Sequence, residues 1–300
     1  MSMKRRDFIR SSAVVAGGLI AGAQTVFSAE ASRPKYYDPY VPVKLGKTSI
    51  KSSRFCLGTG MNGSKRQSNH TRMGKEKFEA LIQESYDRGI HTFDLADLYG
   101  THPYVMPALK GIPRDKLTLI TKVWFRPGGL PEDERPNADV VVARFLKEIS
   151  TDYLDLVLLH CVTSAKWPEE LRRQMDILSK LKEKGDIRAV GVSCHSLEAL
   201  EAAAAEPWVD SVHARINPFG MSMDATPEKV VPVLKRIHEA GKGVVGMKLV
   251  GASKLRNEPE KRAESIRYVL NLGCVDVLNV GCEKIEEVDD IAGIVRKVRV

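Results

Sequence analysis

Five cysteines in 300 residues, none in a CxxC pair, exclude a disulfide-built scaffold and a cysteine zinc site. No apolar run reaches the roughly 18 residues that a spanning helix needs. No dense basic run accompanies the formal net charge of +8, which comes from 46 Lys and Arg against 38 Asp and Glu. Spread thinly over the chain, that charge is a weak argument for a nucleic-acid partner, and none is expected. No H-x-H pair occurs either. What is there is ordinary: 43% hydrophobic and 28% charged residues exclude a disordered or collagen-like chain.

The first thirty residues read as an address. Lys4-Arg5-Arg6-Asp7-Phe8-Ile9-Arg10 sets twin arginines before an apolar pair, and Ala13 to Ala23 is a mild Gly/Ala-rich apolar stretch. Ala29-Glu30-Ala31 is an A-x-A cut pattern. Residues 1–31 are therefore expected to be a twin-arginine (Tat) signal peptide, 32–41 a linker and 42–300 one domain. The expected partner is the Tat translocation machinery, and the expected destination is the periplasm or another exported location, reached after folding. Such a signal is read by a receptor and leaves no stable membrane anchor after cleavage. The alternative is a basic amphipathic N-terminus that stays in the cytoplasm.

From Val43 onward one unit repeats: a short β-branched apolar run, then a longer run of helical period. The spacing predicts strands at Arg54–Leu57, His91–Leu95, Leu117–Val123, Leu154–His160, Ile187–Val192, Ser211–Ile216, Gly243–Lys248 and Val275–Val280. Helices are predicted at Lys75–Arg88, Val105–Leu109, Ala138–Ser150, Pro168–Lys184, Leu197–Ala205, Pro227–Ala240, Pro259–Leu272 and Ile285–Val298. Strict alternation implies a parallel sheet, and eight units in about 250 residues fit a closed (β/α)8 TIM barrel. The rival is a doubly wound open sheet, whose glycine fingerprint opens straight into a helix. Here Gly58-Thr59-Gly60-Met61-Asn62-Gly63 runs instead into a polar loop up to Gly74. Ahead of the barrel, Val41–Leu45 and Thr48–Ile50 are expected to form a small hairpin that closes its bottom.

Catalytic groups of such a barrel sit at the C-terminal ends of strands. Strand two ends in Asp94-Leu95-Ala96-Asp97-Leu98-Tyr99, strand three in Lys122-Val123-Trp124 and strand four in His160. Asp, Tyr, Lys and His thus arrive on one rim. A phenol titrates near ~10, and a neighbouring ammonium is expected to lower that value. A carboxylate beside the lysine holds it charged, and a histidine can hydrogen-bond the oxygen being protonated. The set suits carbonyl reduction, with Tyr99 as proton donor. Taken singly, each residue reads more readily as a structural ion pair or a satisfied polar group than as a catalytic one; the Asp-to-Tyr interval and the flanking apolar runs turn the balance toward catalysis for the set.

FDLADLYG, LITKVW, LLH, and IRAVGVS followed by INPFG resemble the aldo-keto reductases, in order over residues 42–298. The resemblance implies a (β/α)8 barrel that binds a nicotinamide cofactor across its rim and acts on a small carbonyl substrate. By position Asp94, Tyr99, Lys122 and His160 match the family's catalytic tetrad. The family commonly holds the nicotinamide carboxamide with Ser-Asn after strand five and Gln on strand six. Here Ser193 is kept, Cys194 replaces Asn and His213 replaces Gln. Met247-Lys248 stands where a stacking tyrosine is common. After strand eight, where the family often uses Lys, Ser or Arg for the 2′-phosphate of NADP, the loop reads Gly281-Cys282-Glu283-Lys284, and Asp289-Asp290 fall where a Glu-Asn pair usually meets adenine. NADP(H) is the expected cofactor, and the acidic replacements leave NAD(H) open. Trp124 is expected to line the substrate pocket, the loop 61–74 to be a solvated flap, and Cys161 and Cys194 to be small buried thiols with an oxidised pair as the alternative. Two other functions compete with carbonyl reduction. One is a non-catalytic dinucleotide-binding barrel, suggested by the changed carboxamide and phosphate positions. The other is a metal-dependent hydrolase using His160, His195 and His213, although no metal is expected.

Overall fold

The structure, a computed structural model, describes residues 36–300. The signal-peptide reading and the first four residues of the linker lie outside the described residues. A hairpin of β1 (Pro42–Lys44) and β2 (Lys51–Ser53) precedes a run of alternating strands and helices. These are β3 (Phe55–Gly58), α1 (Asn69–Arg72), α2 (Lys75–Asp87), β4 (Thr92–Asp94), α3 (His102–Ala108), β5 (Thr118–Val123), α4 (Ala138–Ile149) and β6 (Leu154–Val162). There follow α5 (Trp167–Glu170), α6 (Arg172–Lys184), β7 (Ile187–Cys194), α7 (Leu197–Ala205), β8 (Ser211–Arg215), α8 (Pro227–Glu239), β9 (Gly243–Met247), α9 (Pro259–Asn271), β10 (Val277–Gly281) and α10 (Ile285–Val295). Strands β3 to β10 pair in parallel, in sequence order, and β10 closes on β3. This is the expected (β/α)8 barrel, and every barrel strand lies within two residues of its predicted span.

Two apolar cores follow from the alternation of side chains along each strand. Outward residues such as Phe93, Leu119, Val157 and Val212 pack under the helices. Inward residues Cys56, Ile120, Leu156, Leu158, Ala189, Val245 and Val277 fill the barrel, joined from below by Leu45 and Ile50 of the hairpin turn. The hairpin therefore plugs the bottom as expected, but its second strand starts later than predicted. Thr48 donates its hydroxyl to the Leu45 carbonyl (2.6 Å) and accepts from the Ile50 amide (3.2 Å), so residues 45–50 form the plug itself rather than strand. Gly46 has φ 55 there, and a Cβ would lie 2.4 Å from the Gly243 nitrogen.

Two further differences concern helices. The predicted helix over 168–184 is two helices, because Leu171 leaves the helical range at φ −110, ψ 14. The polar loop after β3 also contains α1, which its sequence did not suggest. Ser68 and Thr71 form a reciprocal capping box that starts this single turn.

Candidate active site

The barrel's inward stripe changes chemistry at its upper end. Two residues beyond Ile120 stands Lys122, two beyond Leu158 stands His160, and two beyond Val277 stands Asn279. A period of two keeps these side chains on the inner face, one layer above the apolar filling. Asp94, the last residue of β4, receives all that converges there. The Lys122 ammonium donates to its Oδ1 (2.6 Å), the His213 ring Nε2 to the same oxygen (3.2 Å), and the Asn279 amide to Oδ2 (2.7 Å). Lys122 also donates to the Leu95 carbonyl at 2.8 Å. Burial pushes the Asp94 carboxyl up, but the Lys122 charge and the His213 hydrogen bond outweigh it and hold the carboxyl well below the usual range. Burial pulls the Lys122 ammonium down, and the Asp94 charge more than restores it.

Tyr99 ends a 3-10 turn, Asp97–Tyr99, that swings it back over this cluster. The turn is tied down by Asp97, which accepts from Arg66 (2.9 Å) and from both Arg144 terminal nitrogens (3.0 and 2.7 Å). The Tyr99 ring centroid lies 4.8 Å from the Lys122 ammonium, and its hydroxyl lies 3.4 Å from the His160 Nε2. The loop after β3 covers the ring. A Cβ at Gly60 would fall 2.3 Å from the Tyr99 Cζ, so only glycine leaves room for the phenol. Burial pushes the Tyr99 phenol up, Lys122 pulls it down, and the net value stays above the ordinary one. This corrects the expected lowering: Lys122 spends much of its charge on Asp94, and burial prevails. His160 is held well below its usual value by burial and then by Lys122, so the ring is neutral at pH 7.

A cavity of about 100 Å³ opens above Asp94 and Tyr99, lined also by Met247, Lys248 and Asn279. It adjoins a second, of about 290 Å³, that reaches Arg256, Arg262, Glu286, Glu287 and Asp290. Met61, Val250, Ser253, Val280 and Gly281 belong to both walls, so the two form one groove across the rim.

Residues 54–295 match the aldo/keto reductase family. The chain belongs to this family. It is 29% identical over 205 residues to the aldo-keto reductase YhdN of Bacillus subtilis (strain 168), covering 64% of this chain and 57% of that one. It is 29% identical over 202 residues to the NADH-specific methylglyoxal reductase of Escherichia coli (strain K12), covering 61% and 60%. The chain thus spans less than two thirds of the length of these curated relatives. The fold of this family member superposes on an aldo-keto reductase from Bacillus halodurans in its holo form with a TM-score of 0.69, at 21% identity, over 87% of this chain and 92% of the other.

Within this aldo/keto reductase the residues expected at the cofactor divide. Met247, Lys248, Gly281 and Asp290 line the groove, and Asp290 accepts from Arg262 (2.9 Å) at its far end. Ser193 is fully buried and accepts a 3.4 Å contact from the Cys161 amide. Cys194 does not reach the groove: alternation turns it outward into the core, with its thiol 3.7 Å from the Ala199 carbonyl. His213 is held on Asp94 rather than at the groove wall. Lys284 is exposed at the N-cap position just before α10 and lines neither cavity. Trp124 packs in a T-shape with the His160 ring, centroids 5.3 Å apart, and donates to the Gly128 carbonyl (2.6 Å). Cys161 and Cys194 are both free thiols. Among the described residues no group of three or more His, Cys, Asp or Glu is placed to hold a metal ion. Two groove residues escaped the sequence reading. Asn279 was legible as the one amide inside an apolar strand, VLNVG. Arg256 carried no local signal, because only the fold brings its loop beside Glu283 and Glu287.

Proposed function

We propose that this protein is an NAD(P)H-dependent oxidoreductase that interconverts a small aldehyde or ketone and its alcohol, with Tyr99 as general acid/base. The observation that carries the reading is the phenol hydroxyl held between a buried ammonium and a neutral imidazole at the mouth of a groove. The groove suits a long ligand with an anionic middle. The backbone at Lys248, Gly251, Ala252 and Ser253 has φ between 54 and 75, and cationic Lys248 and Arg256 border the groove that this loop lines. When bound there, the cofactor supplies or takes up the hydride. The protein's own residues manage the proton. Tyr99 gives its proton to the substrate oxygen, the Lys122 ammonium stabilises the phenolate left behind, and Asp94 keeps that ammonium charged and aimed. The His160 Nε2 positions the oxygen, and Trp124 bounds the substrate side.

NADP(H) is the proposed cofactor, with Arg256 as the group nearest to meet an added phosphate. NAD(H) is the second reading. It is favoured by the pairing of Arg256 with both Glu283 and Glu287, and a relative carries NADH-specific in its name. Small aldehydes are proposed as substrates because relatives are named for methylglyoxal and glyoxal. Export by the twin-arginine route, with the Tat machinery as partner, is proposed from Arg5-Arg6 and the A-x-A pattern. Steady-state reduction of a panel of small aldehydes and ketones with each cofactor tests the enzyme reading. Tyr99→Phe should lower turnover about a thousandfold while leaving cofactor binding intact. A Tyr99→Phe protein that turns over like the parent would overturn it. Replacing Arg5 and Arg6 by lysine should retain the protein in the cytoplasmic fraction, and unchanged secretion would remove the export reading.

A further inference from the structure

Cys161 follows His160 at the end of β6 and takes no part in the proton chemistry of Tyr99. Its backbone is left-handed, with φ 62, at the point where the pairing of β6 with β7 loses register. That conformation is strained for a residue with a Cβ, and it re-aims the side chain. The thiol is turned onto the His195 Nδ1, in hydrogen-bond contact. From the other side the Arg126 guanidinium lies 3.1 Å from the sulfur and donates to the Cys161 carbonyl at 3.2 Å. A separate cavity of about 180 Å³ opens at this thiol, bounded by Phe125, Arg126, His160 and Trp167. His160 is 7% exposed, and its Nδ1 has no partner while its Nε2 is engaged at Tyr99. The other four cysteines are buried, and the one hydrogen bond made by any of their thiols runs from Cys194 to the Ala199 carbonyl.

We propose that Cys161 and His195 form a nucleophilic dyad that captures small aldehydes reversibly as a thiohemiacetal, in a pocket beside the reduction site. The sulfur bonds to the carbonyl carbon, and the π pair of the C=O moves onto oxygen. The thiol proton passes to His195 and from there to that oxygen, so no oxidant or reductant is consumed. Arg126 stabilises the negative charge while it moves from sulfur to oxygen. Burial keeps both partners neutral at rest, lifting the thiol and lowering His195 to about 3. Addition to a carbonyl needs no standing thiolate, because proton transfer and bond formation proceed together. The dyad would hold an electrophilic aldehyde within reach of Trp124 and His160, or trap one that is not reduced.

The test is alkylation of the full chain by iodoacetamide at pH 7, read by peptide mass mapping. Cys161 should label at least tenfold faster than the four buried cysteines. Millimolar propionaldehyde should slow that labelling severalfold, reversibly on dialysis. Aldehyde labelled with 13C at the carbonyl carbon should give a bound thiohemiacetal signal that Cys161→Ser removes. His195→Phe, checked for folding by circular dichroism, should slow formation of the 13C-labelled adduct about tenfold. Labelling of Cys161 no faster than of the buried thiols, no protection by aldehyde, or no effect of His195→Phe in a folded protein would each overturn the proposal. Tyr99→Phe separates it from the redox reading: that variant should lose reduction and keep the adduct.

Discussion

The two ends of the groove use charge in opposite ways. At the Tyr99 end the Lys122 side chain is 0% exposed, and its Asp94 partner has a hydrogen-bond donor on each oxygen. At the far end Arg256 is 39% exposed and pairs with Glu283 and Glu287 on the surface. A buried pair gains much from its partner and loses heavily if left single, whereas an exposed pair is screened and worth about 0–1 kcal/mol. The first end is therefore fixed in one geometry before any ligand arrives. The second can exchange a carboxylate for a ligand phosphate at small cost.

The largest expected effect attacks the fixed end. Lys122→Met should nearly abolish turnover and also destabilise the fold by about 3–5 kcal/mol, because Asp94 is left buried without its cation. Denaturant unfolding of the variant measures the second effect, and an unchanged midpoint would break the contrast between the ends. Asn279→Leu removes one donor to the same carboxylate and should cost about 1.5–3 kcal/mol in the same unfolding experiment.

Acid should also weaken the fold. His70, His160, His195 and His213 are all shifted downward, chiefly by burial, so the fold holds them neutral. The unfolded chain protonates its histidines below about 6.5, so it binds more protons than the fold there. Stability is then full above about pH 6.5 and declines as the pH falls toward the lower folded values. Thermal melts should show the midpoint dropping from pH 7 to pH 5, and a flat profile would contradict the neutral assignment.

The smallest effect is expected at the far end. Glu287→Gln should leave turnover and unfolding nearly unchanged while lowering the KM for NADPH relative to NADH by less than tenfold, because it frees part of Arg256. A large loss of stability would show that the far pair is as fixed as the near one.

Much of the site was legible because short-range rules govern it. Asp94, Lys122 and His160 end apolar strands, and strand ends in this architecture face one rim. Cys194 departs from its expected place because family position names a strand, but which face a residue takes depends on register, whereas His213 does face inward and is taken up by Asp94. In β7 that register puts Ser193 inward and Cys194 into the helix layer. The sign of the Tyr99 shift was also out of reach, because it depends on how deeply the ring is buried and on how much of the Lys122 charge Asp94 absorbs.

The sequence alone determined the number and order of the barrel strands and the place of the main helices between them, and so the barrel, because apolar period and turn residues act within a few positions. It also determined which ionisable side chains reach the rim. Only the tertiary structure decided their partners. Asn279 and His213 meet Asp94 across the barrel, Arg256 meets Glu283 and Glu287 across a groove, and Cys161 meets His195 between two strands. Such meetings are set by closure of the sheet and by side-chain direction, which no local stretch of sequence encodes.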